Sequence, residues 1–428
     1  MAELLIQGAH VVDPSRQLNG VMDIRIRNGV FAEIAPGLAP LAGEEVFDAK
    51  GLTAVPGLVD VHVHFREPGD EEEETIASGC ASAAAGGFTS VACMPNTEPA
   101  MDSESSMSFV YLQAQKSGLC RVYPVGAITK GRGGQELAEM GSMVRGGAVA
   151  FSDDGTAIPT AGLARRAFEY AKMLDRPIME HCEDKSLAGK GVMHEGIVST
   201  RLGLAGIPSE AEEVIVSRDI MLSRLTGARL HLQHISTIGS VELLRRAKAE
   251  GLPVTAEVTP HHLTLTHEDV RGYDPSFKMN PPLRTMADIR ALVDGLRDGT
   301  IDMIASDHAP HAQEEKEVEF SYAAFGAIGL ESTVGVILTR LIHGRELTME
   351  QLVPAMTTAP AKLLGIDAGS MRPGAPGDVA LLDIHRKWVI DATAFRSRSR
   401  NCPFHGMPCT GRTMATVLGG RVVYRAPA

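Results

Sequence analysis

The apolar positions change rhythm twice along the chain. Residues 4–55 alternate in short runs at Leu4–Ile6, Val11–Val12, Met22–Arg27, Val30–Ile34 and Glu45–Asp48. Gly8, Asn19-Gly20, Asn28-Gly29 and Pro36-Gly37 separate them as turns. Alternation with period two between such breakers predicts strands, and Asn28-Gly29 predicts a two-residue hairpin. After Pro56-Gly57 the pattern becomes short apolar runs divided by longer stretches of helical period. The predicted strands are Leu58–His64, Thr89–Met94, Arg121–Ala127, Ala148–Asp153, Pro177–His181, Arg229–Ile235, Pro253–Val258 and Ile301–Ser306. The predicted helices are Glu72–Ala85, Ser103–Ser117, Gln135–Arg145, Thr160–Leu174, Glu210–Leu225, Ile238–Glu250, Ala287–Arg297 and Gly329–Ile342. From Gly374 the strand rhythm returns, at Asp378–Asp383, Trp388–Asp391, Thr413–Leu418 and Arg421–Tyr424.

About eight strand–helix units predict an α/β fold, a (β/α)8 TIM-type barrel. The two β-rich ends are expected to join as a small β-sandwich domain beside it. The expected boundaries are residues 1–55 and 366–428 for the sandwich and 56–365 for the barrel. An open doubly wound sheet is the rival. No G-x-G-x-x-G follows the first barrel strand, and Gly131-Arg132-Gly133-Gly134 is too weak a phosphate loop to favour it.

The net charge of −12 argues against a nucleic-acid groove or an anionic membrane surface as partner. No uninterrupted apolar run is long enough to span a bilayer, and Met1–Gly8 lacks the flank of a signal peptide. The six cysteines form no CxxC pair, which suits reduced thiols and a cytoplasmic location.

Val59-Asp60-Val61-His62-Val63-His64 organises the rest. Strand alternation sets Val59, Val61 and Val63 on one face and Asp60, His62 and His64 on the other. Two imidazoles at i and i+2 lie close enough to share a metal ion. Other predicted strands also end in ligand-type residues: Asp153-Asp154, His181, His234 and Asp307. Barrels of this kind carry their active groups where strands end. His62, His64 and Asp307 are expected to hold one ion and His181 and His234 another, with Asp153 or Asp154 bridging. Such ligands suit zinc, and paired cations activate water and polarise a carbonyl. By strand parity His231 faces away from His234 and is read as packing. His261 and His262 are read as structural, and His308 as orienting a neighbour. The acidic segment Ala312–Tyr322 reads equally as a mobile lid or a solvated loop.

The combination resembles a known family. Val59–His64 is similar to the signature of the amidohydrolase superfamily. His62-Val63-His64-Phe65-Arg66-Glu67-Pro68-Gly69, Met94-Pro95-Asn96-Thr97, Phe151-Ser152-Asp153-Asp154-Gly155, Asn280-Pro281-Pro282-Leu283-Arg284 and Asp307-His308-Ala309-Pro310-His311 together resemble the dihydroorotases of the bacterial, longer-chain class. The resemblance covers essentially the whole chain. It implies two Zn2+ per chain, held by His62, His64, His181, His234 and Asp307 and bridged by Asp154. Many relatives bridge with a carboxylated lysine, and residues 147–155 contain none.

It also implies that Arg66, Asn96 and His311 hold the substrate carboxylate. Asn280 would contact the pyrimidine ring, and the Phe325-Gly326 backbone its amide edge. The bland alternatives are a surface salt bridge from Arg66 to Glu71–Glu74 and a turn role for Asn280. The implied reaction is reversible hydrolysis of dihydroorotate to N-carbamoyl-aspartate, a step of pyrimidine biosynthesis, with Asp307 as general base and then acid. A homodimer and an association with aspartate transcarbamoylase are the partner states the resemblance brings with it. The rival readings are an allantoinase or dihydropyrimidinase-like enzyme, and a scaffold without activity. The filled ligand set speaks against the scaffold.

Overall fold

The computed structural model describes residues 3–427. Its strands are β1 (Glu3–Asp13), β2 (Leu18–Arg27), β3 (Val30–Ala35), β4 (Glu45–Asp48), β5 (Thr53–Pro56), β6 (Leu58–Val63), β7 (Phe88–Cys93), β8 (Arg121–Gly126), β9 (Ala150–Phe151), β10 (Ile178–Glu180), β11 (Met193–His194), β12 (Gly206–Ile207), β13 (Leu230–Leu232), β14 (Val254–Val258), β15 (Met303–Ile304), β16 (Val379–Val389), β17 (Pro408–Leu418) and β18 (Arg421–Arg425).

The barrel is the parallel sheet β15-β14-β13-β10-β9-β8-β7-β6. An isolated parallel bridge between Val63 and His308 joins its two edges. Side chains sort by parity. Leu230, Leu232, Val254, Ala256 and Val258 belong to the large cluster that includes helix residues such as Val241 and Leu244. Val59, Val61, Ala92, Met94, Met179 and Met303 form a separate cluster inside the barrel, with Ala361, Leu363 and Leu364.

The expected alternation of the first barrel strand does not hold throughout. Pairing with β7 shifts register between Asp60 and Val63. Val59 and Val61 join the interior cluster, whereas Val63 belongs with Ile76 and Cys80 of the following helix. A bulge of this kind re-aims side chains. His62 lies within the irregularity, and His64 follows the strand.

The chain ends share a mixed sheet, β18-β17-β16-β5-β1-β2-β3, with β4 on β1. β5 and β16 join the two halves antiparallel, Val379 opposite Pro56 and Leu381 opposite Ala54. Leu4, Ile6, Ile24, Ile26, Ala54, Val379, Leu381 and Val417 build one core from both ends. Gly8, expected as a turn, lies inside β1 at φ 72°. The register shifts there between Ile6 and Ala9, and Gly8 N donates to Asp23 Oδ1 at 2.7 Å. Glycine takes that left-handed backbone cheaply, so the strand bulges instead of stopping.

Two helices start later than expected. The first runs Ile76–Gly86, capped by Thr75 and Ser78. The third covers only Met140–Arg145. No described helix is long and apolar enough to cross a membrane. All six cysteines are buried and unpaired.

Candidate metal centre

Four histidines and two aspartates meet where the barrel strands end. His62 is the penultimate residue of β6, and His64 follows the strand. Asp154 follows β9, His181 follows β10, His234 lies two residues past β13, and Asp307 follows β15. His234 and Asp307 have φ of 30° and 47°, a conformation that leaves the strand's parity and is uncommon for such residues.

His62 Nε2 lies 3.3 Å from Asp154 Oδ1 and 3.6 Å from Asp307 Oδ1. His64 Nε2 is 3.2 Å from Asp307 Oδ1 and 3.5 Å from Asp154 Oδ2. His181 Nδ1 is 3.0 Å from His234 Nε2, and each is 3.8 Å from Asp154 Oδ1. His62, His64 and Asp307 form one group able to hold an ion; His62, Asp154 and His234 form another. Asp154 touches both sets. Asp153 turns away: its carboxylate accepts from Ile128 N, Thr129 N and Thr129 Oγ1.

The donor set fits divalent cations. His62 Nε2 and Asp154 Oδ1 are buried with no hydrogen-bond partner among the described residues. Buried polar atoms are rarely left so unless something else satisfies them. Nitrogen and carboxylate ligands around shared space suit zinc-like ions.

The charges point the same way. Burial resists charge on His62, but Glu257, Asp154 and Asp307 outweigh it and raise its pKa well above 6.5. Burial would raise Asp154, yet His62, His234 and His64 hold it well below the usual carboxylate range. Burial also opposes ionisation of Asp307, and the histidines again overcome it. His181 is pushed down to about 3 by burial and by neighbouring His234. The wall therefore favours added positive charge and offers neutral imidazole beside it.

The expected substrate residues lie around this centre. Arg66, at φ 58°, is buried, not a surface group. Its Nε donates to Pro310 O at 3.1 Å and pairs with buried Glu73 at 2.9 Å, so the expected salt bridge exists but inside the protein. Arg66 also approaches His311 Nε2 at 3.3 Å, while His311 Nδ1 sits 2.9 Å from Glu315. Glu73, His311 and Glu315 could group around an ion, but the Arg66 cation already stands there.

Asn96 Oδ1 lies 2.7 Å from His64 Nδ1, so it steadies that imidazole. Asn280 donates to Glu183 at 2.9 Å and approaches His181 Nε2 at 3.5 Å. Phe325 O is 2.8 Å from His311 Nε2. Gly326 N donates to Lys278 O, and Gly326 O accepts from Lys316 Nζ and Asn401 Nδ2.

Lys316 bears on the acidic segment. It ends the short helix Gln313–Lys316, is buried, and donates to Ala324 O at 2.7 Å. Burial pushes its pKa down to about 7. The segment is anchored from within at that residue, beyond either sequence reading.

Other histidines sort as follows. His262 bonds Thr259 Oγ1 and Pro281 O, a structural pattern. His261 Nε2 has no partner among the described residues, and burial lowers its pKa to about 4. His308 contacts Glu74 and accepts from Gly329 N.

His231 is a correction. It faces the barrel interior, 2.8 Å from Glu257 Oε2, and is not mere packing. Parity misled because His234 lies past the strand in the left-handed region. Glu257 itself was missed. Its only sequence signal is a carboxylate inside the apolar run Val254–Val258. Burial opposes its charge, but His62 and His231 hold its pKa at about 2.

Residues 51–240 match the family model described as Dihydro-orotase-like, and residues 223–424 match that of the Amidohydrolase family. The chain is 53% identical over 421 residues to the dihydroorotase of Pelotomaculum thermopropionicum, covering 98% of both chains. The chain belongs to the dihydroorotase family. The dihydroorotase of Citrifermentans bemidjiense is 49% identical, over 99% of this chain and all of that one. Among solved structures, an L-hydantoinase (dihydropyrimidinase) from Arthrobacter aurescens superposes with a TM-score of 0.89 at 27% identity, covering 99% of this chain and 96% of its own. A D-hydantoinase at 21% identity, TM-score 0.86, shares the fold. This dihydroorotase-family chain is thus an amidohydrolase-type enzyme built on the expected barrel and sandwich.

Proposed function

We propose that the enzyme interconverts N-carbamoyl-L-aspartate and (S)-dihydroorotate, using two Zn2+ per chain. The observation that carries this reading is the convergence of His62, His64, Asp154, His181, His234 and Asp307 beside a buried arginine, in a chain half identical to dihydroorotases.

His62, His64 and Asp307 would hold one ion, His181 and His234 the second, and Asp154 both. When bound, such ions supply Lewis acidity toward water and the ring amide carbonyl. Arg66 offers a planar guanidinium to the substrate carboxylate, with Asn96 and His311 as further partners. Glu73 currently neutralises Arg66 and would be rivalled by that carboxylate. Asn280 would contact the ring, and the Phe325-Gly326 backbone its amide edge. Asp307, beside His64, carries the proton between water and the leaving ring nitrogen, and back when the ring closes.

The structural likeness to hydantoinases supports a second reading, a related cyclic-amide substrate. Turnover of dihydroorotate, allantoin and dihydrouracil by one zinc-loaded preparation separates the two. Dihydroorotate is expected to be the preferred substrate. Activity confined to the other two would overturn the proposal.

A further inference from the structure

The four imidazoles of the centre are not backed alike. His62 Nδ1 lies 2.5 Å from Glu257 Oε1. Glu257 Oε2 lies 2.8 Å from His231 Nε2, and His231 Nδ1 is 2.9 Å from Thr255 Oγ1. Glu257 Oε1 also accepts from the backbone N of His234 at 3.3 Å. His62, His231 and Glu257 are fully buried. The carboxylate is therefore fixed at both oxygens, away from water.

The other three lack such a partner. His64 Nδ1 meets the neutral amide of Asn96. His181 Nε2 has only the distant Asn280 amide, at 3.5 Å. His234 Nδ1 has no partner among the described residues. A carboxylate behind a ligating imidazole fixes its tautomer, makes it a stronger donor, and tightens metal binding by roughly 10–100-fold.

We propose that Glu257, pinned by His231, is a positioning residue that makes the two ion sites unequal. The ion shared by His62, His64 and Asp307 is held tightly, and the ion on His181 and His234 loosely. This rests on the two-ion reading above. Glu257 presents His62 Nε2 to the ion. His231 holds the second carboxylate oxygen, so that Oε1 stays on His62 Nδ1.

The test is zinc release from the loaded enzyme by a competing chelator such as dipicolinate, read as zinc retained per chain. The wild-type protein is expected to lose its ions in two steps at well-separated chelator concentrations. Glu257→Gln keeps the shape and removes the charge. Its tight step is expected to move by about 10–100-fold toward the loose step, which stays in place. His231→Gln leaves the carboxylate but frees one oxygen, and should move the same step less. It also serves if Glu257→Gln does not fold.

With Co2+ in place of zinc, the visible spectrum of the tight ion should change in Glu257→Gln while that of the loose ion does not. Equal movement of both steps, or of neither, overturns the proposal. A wild-type chain that takes up no zinc would instead overturn the two-ion reading on which it stands.

Discussion

Asp154 Oδ1 and His62 Nε2 face each other across 3.3 Å, both buried, and neither has a hydrogen-bond partner among the described residues. An acceptor and an imidazole nitrogen left so close and unpaired fit a third body between them. Asp154→Ala is expected to lower zinc content below two per chain. It should also reduce turnover by at least about 100-fold, since Lewis-acid stabilisation is worth several kcal/mol. Metal analysis beside a ring-opening assay checks this. A variant with two zinc ions and ordinary turnover would remove Asp154 from the centre.

Asp307→Asn separates holding an ion from moving a proton. The amide keeps an oxygen toward His64 but cannot carry the proton. Bound zinc is expected to persist while kcat falls by roughly 10²–10⁴-fold. Normal turnover in the zinc-loaded variant would rule out the proton-carrying role.

Arg66→Lys tests carboxylate binding. A lysine ammonium keeps the charge but loses the planar fork. Charge-assisted hydrogen bonds contribute about 1.5–3 kcal/mol, so KM for dihydroorotate should rise roughly 10–100-fold. The change in kcat should be smaller. An unchanged KM would place the carboxylate elsewhere.

Glu331 makes stability depend on pH. Burial, with a smaller push from Glu74, raises its pKa from 4.5 to about 7, although Ser397 N and Arg396 N donate to it. The folded state therefore holds a proton that the unfolded chain releases between about pH 4.5 and 7. Stability from this group is present below pH 4.5 and is lost as pH rises through 7. Glu331→Gln still accepts both backbone donors. It should raise stability above pH 7 by about 1 kcal/mol and flatten the slope between pH 5 and 7. Melting curves across that range decide it, and an unchanged slope would show that Glu331 is not the group responsible.

Much of this was legible before any coordinates. The eight strand–helix units set the barrel, and ligand-type residues at several strand ends pointed to a common rim. What escaped the sequence was local geometry. Parity arguments broke wherever the backbone left the strand, at the bulge near Val61 and at His234 and Asp307 in the left-handed region. That break hid His231. Glu257 escaped because a lone carboxylate in an apolar strand has no partner within reach in sequence; His62 stands 195 residues away. The first helix begins at Ile76 because Glu73 and Glu74 turn inward to meet Arg66 and His308.

The most direct measurement is anomalous diffraction at the zinc edge from crystals of the zinc-loaded protein. Two peaks are expected roughly 3.5–4 Å apart. One should lie among His62, His64 and Asp307, the other beside His181 and His234, with Asp154 between them. Zinc bound elsewhere, with no peak among these six side chains, would contradict the account.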